Sequence, residues 1–290
     1  MSSTLPIYRW LVPASADDDA QADHAKLIDA KRDPRLARVV WRDLMPLARW
    51  EVIDELALSL PWLAASLAFA HFALWPAAML CSFMFFLAAL RQIHNGTHYA
   101  LGIGRRGTEW FLFAMSIALL GSNHAVQHNH LRHHRHCLGP EDVEGVNARL
   151  SAWKVLLAGP VYPLMQHWWV LKTGSARMRR WVLAELGANA AWISAVCFVF
   201  EWRALQYHVA FMAAGHCFTA FFAVWTTHHD TRAAPFPART QKGWLKNWIS
   251  YRMFLHVEHH LFPQVPTRHL ARLAARLEAL APGYRTRQVY

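Results

Sequence analysis

No charged residue occurs from Leu56 to Leu90, and none occurs from Ala204 to His229. Water-exposed surfaces do not take that form, whereas a bilayer demands it. A helix needs about twenty apolar residues to cross the hydrocarbon, and its backbone polar groups are then satisfied internally. The apolar stretch 52–93 holds two spans only as a tight hairpin. His71 to Pro76 is the predicted turn, with Pro76 opening the second helix. Two further spans are predicted near 181–200 and 204–227, with Glu185 tolerated at the end of the first of these. Segments 109–121 and 152–171 are apolar but not simple spans. The first is too short to cross, and Gly159-Pro160 and Pro163 break the second. Both read as in-plane or re-entrant helices. The expected fold is therefore all-α and integral to the membrane: four transmembrane helices in two hairpins, in-plane helices and a histidine-rich cytoplasmic cap. The 54% hydrophobic content and the 15 tryptophans agree with one such domain.

The net charge of +11 raises nucleic acid as a partner, but the distribution excludes it. Basic residues gather in the N-terminal segment, at Arg105/Arg106, at Arg132/Arg135, at Lys172–Arg180 and from Arg232 onward. The turns expected on the far side hold one, Arg203. That is the positive-inside pattern, and it places both termini in the cytoplasm. Residues 1–50 read as a cytosolic segment with a mobile start and a surface helix within 24–50. The membrane domain covers 51–282, and 283–290 form a short tail. The stretch 266–281 is amphipathic, with Leu270, Leu273, Leu277 and Leu280 on one face. Cys81, Cys137, Cys197 and Cys217 are scattered without a CxxC, so no zinc knuckle or disulfide framework is expected. The N-terminus lacks the charged-then-apolar pattern of a signal peptide.

Eight of the 19 histidines fall into three clusters: His94 and His98; His130, His133 and His134; His256, His259 and His260. On a helix, residues three and four apart share a face, so each cluster aims its imidazoles at one point. Neutral imidazole binds iron, zinc, copper or nickel. Eight donors exceed the four that structural zinc takes, and two ions between helices are the simplest account. Carboxylates near the clusters are few: Glu141, Asp142, Asp230 and Glu258. Glu258 lies off the face of His256 and His260, which fits support of a ligand better than ligation. The isolated His24, His71, His167, His208, His216 and His269 read as ordinary surface residues. Upstream of the second cluster, His124 and His128 form an HxxxH pattern of their own.

The order HxxxH, HxxHH, HxxHH resembles the membrane fatty acid desaturase and hydroxylase superfamily. The runs Gly139-Pro140-Glu141-Asp142-Val143-Glu144-Gly145 and Leu261-Phe262-Pro263-Gln264-Val265-Pro266 after the second and third boxes strengthen the likeness, which covers about 50–280. The resemblance implies a di-iron centre in 51–282, with His94, His98, His130, His133, His134, His256, His259 and His260 as catalytic metal ligands. The family also uses a residue after the fourth span, and here His228 or His229 stands in that place. The implied chemistry is dioxygen-dependent removal of hydrogen from an unactivated methylene. Desaturation is the first reading. Hydroxylation, ketolation or acetylenic bond formation on a lipid, carotenoid or specialised acyl group is the alternative. The spans should line an apolar tunnel, with Trp62, Trp75, Phe83, Phe86 and Trp192 as candidates. Arg105, Arg106, Lys172, Arg177, Arg179 and Arg180 could meet a headgroup. Electrons should come from a separate ferredoxin or cytochrome b5-type protein, and the acyl substrate from a lipid, coenzyme A or an acyl-carrier protein. A bacterial inner membrane is the expected location.

Overall fold

The structure is a computed structural model that describes residues 16–287 and 289. The expected mobile start (1–15) and two residues of the tail (288 and 290) lie outside the described residues. Every regular element among the described residues is helical. The chain divides into two compact units. One comprises Leu47–His128 and Val170–Cys217. The other comprises the residues up to Pro46, Asn129–Trp169 and Phe218 onward.

The first unit opens with α1 (Arg49–His71) and α2 (Trp75–Thr97), both long and apolar enough to cross a membrane. Their turn falls where the sequence places it. Ala73 takes a left-handed φ of 57°, Leu74 N–H donates to Phe69 O at 2.8 Å, and Pro76 sits in the first turn of α2. A polar lock binds the pair near the other end. Glu55 is completely buried. It takes an ion pair from Arg91 and a 3.0 Å hydrogen bond from Asn95 Nδ2. Gln92 Nε2 donates to the Glu55 carbonyl at 2.7 Å. A buried carboxylate persists only with such partners, and this one fixes the turn of α2 that carries His94.

α3 (Arg105–Leu119) has 15 residues, about 22 Å of helix and too short to cross. Phe85, Phe86 and Ile93 of α2 pack with Leu112, Met115 and Leu119 of α3 and with Met212. After α5 (Tyr162–Thr173) comes a third spanning candidate, α6 (Ala176–Phe200), which ends in a π-helical turn, Val196–Phe200. Arg203–His216 and Ala220–His228 qualify as a fourth only when counted together across residues 217–219. The expected four spans are therefore three, or four with a broken last one.

Several histidines expected at the surface are interior tethers. His208 is buried and donates through Nε2 to Ala118 O at 2.8 Å. His216 Nε2 donates to Leu119 O at 2.6 Å. His269 is buried with Nδ1 donating to Leu44 O at 2.7 Å. Each satisfies a carbonyl at a helix end or in a turn, where no intrahelical donor is available. The HxxxH pattern upstream of box two also splits. His124 Nδ1 donates to the buried Glu185 carboxylate at 2.6 Å, and Ser116 Oγ joins it at 2.7 Å. His128 Nε2 lies 3.3 Å from Thr173 Oγ1. Among the aromatic residues offered as tunnel lining, Phe86 is core, whereas Trp75 and Phe83 are exposed.

The second unit has its own core. Leu27, Cys137, Leu138, Val143, Met165, Trp169, Val224, Phe236 and Val257 share one cluster. Leu44, Phe262, Leu270, Leu273 and Leu277 share another. The amphipathic tail forms α9 (Leu270–Leu280), which buries three of its four predicted leucines; Leu280 is 39% exposed.

Candidate metal centre

Box two lies on α4 (Asn123–His136), box three on α8 (His256–Leu261), and His228 closes α7 (Ala220–His228). Within the second unit these elements bring seven imidazoles together. Four Nε2 atoms form a closed quadrilateral. His133 to His228 is 3.0 Å, His228 to His256 is 2.9 Å, His256 to His260 is 3.1 Å and His260 to His133 is 3.2 Å. Beside it, His134 Nε2 lies 3.1 Å from His130 Nε2 and 2.7 Å from His259 Nε2. The rings of His134 and His260 stack at 4.2 Å.

What lies behind the rings determines what their Nε2 atoms offer. His133 Nδ1 donates to Asp142 Oδ2 at 2.6 Å. His228 Nδ1 donates to Pro237 O at 2.6 Å. His130 Nδ1 donates to Glu144 Oε1 at 3.2 Å. Carboxylates and carbonyls only accept, so these rings carry their proton on Nδ1 and turn a lone pair inward when neutral. A proton shared on His133 can serve one edge of the quadrilateral, whereas a metal ion serves all four. A square with these edges has its centre about 2.2 Å from each corner, close to the ordinary 2.0–2.1 Å zinc–imidazole bond. The donor set therefore fits a metal ion of the imidazole-preferring class.

Electrostatics agree. Burial opposes a charge on His133, but the Asp142 carboxylate outweighs it and holds the imidazole above its usual value. Burial also opposes the Asp142 charge. His133 and the backbone N–H groups of Gly145 and Leu138 outweigh it and hold the carboxyl well below the usual range. His260 moves the other way: burial, and then the imidazoles of His134, His256, His228 and His133, push it well below its usual value. His260 therefore stays neutral and presents a lone pair, whereas His133 is tuned the other way by the carboxylate behind it.

The sequence order in box two explains its rigidity. Leu138 takes φ 56° and ends the helical path. Its N–H donates to Asp142 Oδ2 at 2.7 Å, and Gly145 N–H donates to Oδ1 at 2.9 Å. One carboxylate thus fixes the turn after the box and a ring within it. Box three is braced by Glu258, which faces away from the rings. Its Oε2 accepts from Thr240 at 2.6 Å and its Oε1 from Arg285 at 2.5 Å.

Box one lies in the first unit. His94 is in the last turn of α2 and His98 caps it; their ring centroids are 5.6 Å apart. His229 stands apart from the quadrilateral, its ring 4.0 Å from that of Trp225. Burial and then the Arg239 guanidinium push its pKa down to about 4. Of the nearby carboxylates, Glu141 is exposed and pairs with Arg132. Asp230 is exposed beside Arg239 and Arg287. Sequence reasoning missed Glu144, although its signal was present in the acidic run that follows box two. It also missed the Pro237 carbonyl, which has no sequence signal.

A family model described as fatty acid desaturase matches residues 70–290. The chain belongs to that family. The desaturase match takes in all three histidine boxes, the residues after the last span and the acidic run that orients box two. It makes the chain an oxidoreductase of the desaturase and hydroxylase type, in a membrane context. The long apolar spanning candidates fit an integral membrane protein. No curated protein and no solved structure matches the chain.

Proposed function

We propose that this chain is a dioxygen-dependent, non-haem di-iron fatty acyl desaturase. The observation that carries the reading is the quadrilateral of Nε2 atoms from His133, His228, His256 and His260, two of whose Nδ1 protons are committed to Asp142 and Pro237. These four would hold one iron. His130, His134 and His259 would hold the other, and His94 and His98 enter on their motif. Between His228 and His229, the ligand is His228. When bound, the two irons would supply activation of dioxygen; two hydrogens from adjacent methylenes, two electrons from the donor and two protons would then account for its reduction to two waters.

The chain's own residues do the rest. Asp142, Glu144 and the Pro237 carbonyl set ring orientation before any ligand arrives. Burial of His133, His228, His256, His259 and His260 excludes bulk water. The electron donor is a separate ferredoxin or cytochrome b5-type protein, drawn to the basic face inferred from the charge pattern. That pattern supports a cytoplasmic centre and termini, and a bacterial inner membrane is the proposed location.

The test is untargeted mass spectrometry of lipid and acyl-thioester pools. The host co-expresses a ferredoxin and its reductase with either wild type or His133→Ala. A species lighter by two hydrogens, seen only with wild type, supports desaturation. A species heavier by one oxygen replaces it with hydroxylation. Identical pools would sink both.

A further inference from the structure

One soft donor stands beside the imidazoles without a part in the reading above. Cys137 follows His133 by four residues, one helical turn, so the two side chains share a face. It is fully buried. Its sulfur and one ring nitrogen each of His133, His228 and His260 lie within 4.8 Å of one another. Among the described residues the sulfur makes no hydrogen bond. The same bonds from Asp142 that fix His133 also fix Leu138, the residue after the cysteine.

We propose that Cys137 supplies a thiolate to the metal held by His133, His228, His256 and His260. The proposal rests on the reading of that quadrilateral as a metal site. For zinc, a bond of about 2.1 Å to nitrogen and one of about 2.3 Å to sulfur separate opposed ligands by about 4.4 Å. The 4.8 Å bound on the distances from the sulfur to a ring nitrogen of His133, His228 and His260 is comparable with that separation. Thiolate is a soft ligand, and a coordinated thiol loses its proton outright. A thiolate-to-metal absorption band arises only from a sulfur bonded to the ion. Simple packing is the competing role, since Cys137 shares a core with Leu138, Val143 and Phe236. Packing tolerates serine or alanine without any change at the metal.

The experiment uses the full chain in detergent with Cys81→Ala, Cys197→Ser and Cys217→Ser, so that Cys137 is the only cysteine left. The protein is stripped and reloaded with cobalt(II). Metal per chain, near-ultraviolet thiolate-to-cobalt absorption and sulfur scattering at the cobalt edge are read together. The expected result is two cobalt ions per chain, with a thiolate band and a sulfur scatterer that both vanish in Cys137→Ser. In that variant, affinity at one site should fall about tenfold or more. Two cobalt ions with neither sulfur signal would overturn the role of Cys137 and leave the histidine centre standing. A band that survives Cys137→Ser would also overturn it. A chain that binds no cobalt would remove the histidine reading and the cysteine with it.

Discussion

Asp142→Asn changes one atom and one charge at a group that holds three donors. The carboxylate accepts from His133 Nδ1 and Leu138 N–H on Oδ2, and from Gly145 N–H on Oδ1. An asparagine has a single acceptor oxygen. Placed at the Oδ2 position, it keeps two bonds and turns its NH2 toward Gly145 N–H, leaving a buried donor unmet. That costs about 1–3 kcal/mol. The lost charge also weakens the hold on His133, and removing such a partner behind a metal-bound imidazole lowers metal affinity about 10- to 100-fold. Asp142→Ala loses all three bonds and should exceed both effects. The assay is chelator competition against the loaded chain in detergent, with thermal unfolding of the same samples. The expected order is wild type, then Asn, then Ala, in both readouts. Chelator midpoints within twofold of wild type for both variants would refute the claim that Asp142 orients a ligand. A loss of thermal stability alone would leave it only a turn-capping role.

Replacing His228 by alanine should lower bound iron to about one per chain, whereas His229→Ala should keep about two, as measured by elemental analysis. Equal loss in both would undo the assignment of the ligand to His228. Arg91→Met strands the buried Glu55 carboxylate and should destabilise the chain by about 3–5 kcal/mol. The double variant Glu55→Leu/Arg91→Met should recover most of that in the same unfolding assay. Gly121→Ala brings a Cβ to 2.6 Å from His216 Cε1, and that ring is tied to Leu119 O. A cost of about 1–3 kcal/mol is expected, and wild-type stability would show that the ring yields freely. Tyr284 donates to Asp33 Oδ2 at 2.7 Å. Burial, and then that carboxylate, push its phenol up to about 12. A raised value means the fold favours the neutral phenol. The contribution is complete below the ordinary tyrosine pKa of about 10 and is lost as pH rises through 12. Ultraviolet titration should show a late phenolate step that Tyr284→Phe removes. An unchanged curve would contradict this.

Local, repetitive physics was legible in the sequence. Long apolar runs placed the spanning candidates, and Pro76 at the end of the His71–Pro76 turn placed the hairpin. The three- and four-residue spacing of histidines identified faces that present several rings at once, because helical periodicity makes neighbours of those positions. The position of Glu258 off the ligand face followed from the same rule. Choices that depend on partners distant along the chain required the tertiary structure. His228 and His229 are adjacent and chemically identical. They separate only because the Pro237 carbonyl receives one ring and Trp225 packs against the other at a tilt. Asp142 rather than Glu141 supports a ring because the turn at Leu138 directs one inward and leaves the other in solvent. His208, His216 and His269 looked idle, yet each satisfies a backbone carbonyl far away in sequence. Spacing along a helix fixes which side chains point together. Which carbonyl or carboxylate waits behind each ring is fixed only when separate segments pack, and that fixes where each imidazole carries its proton.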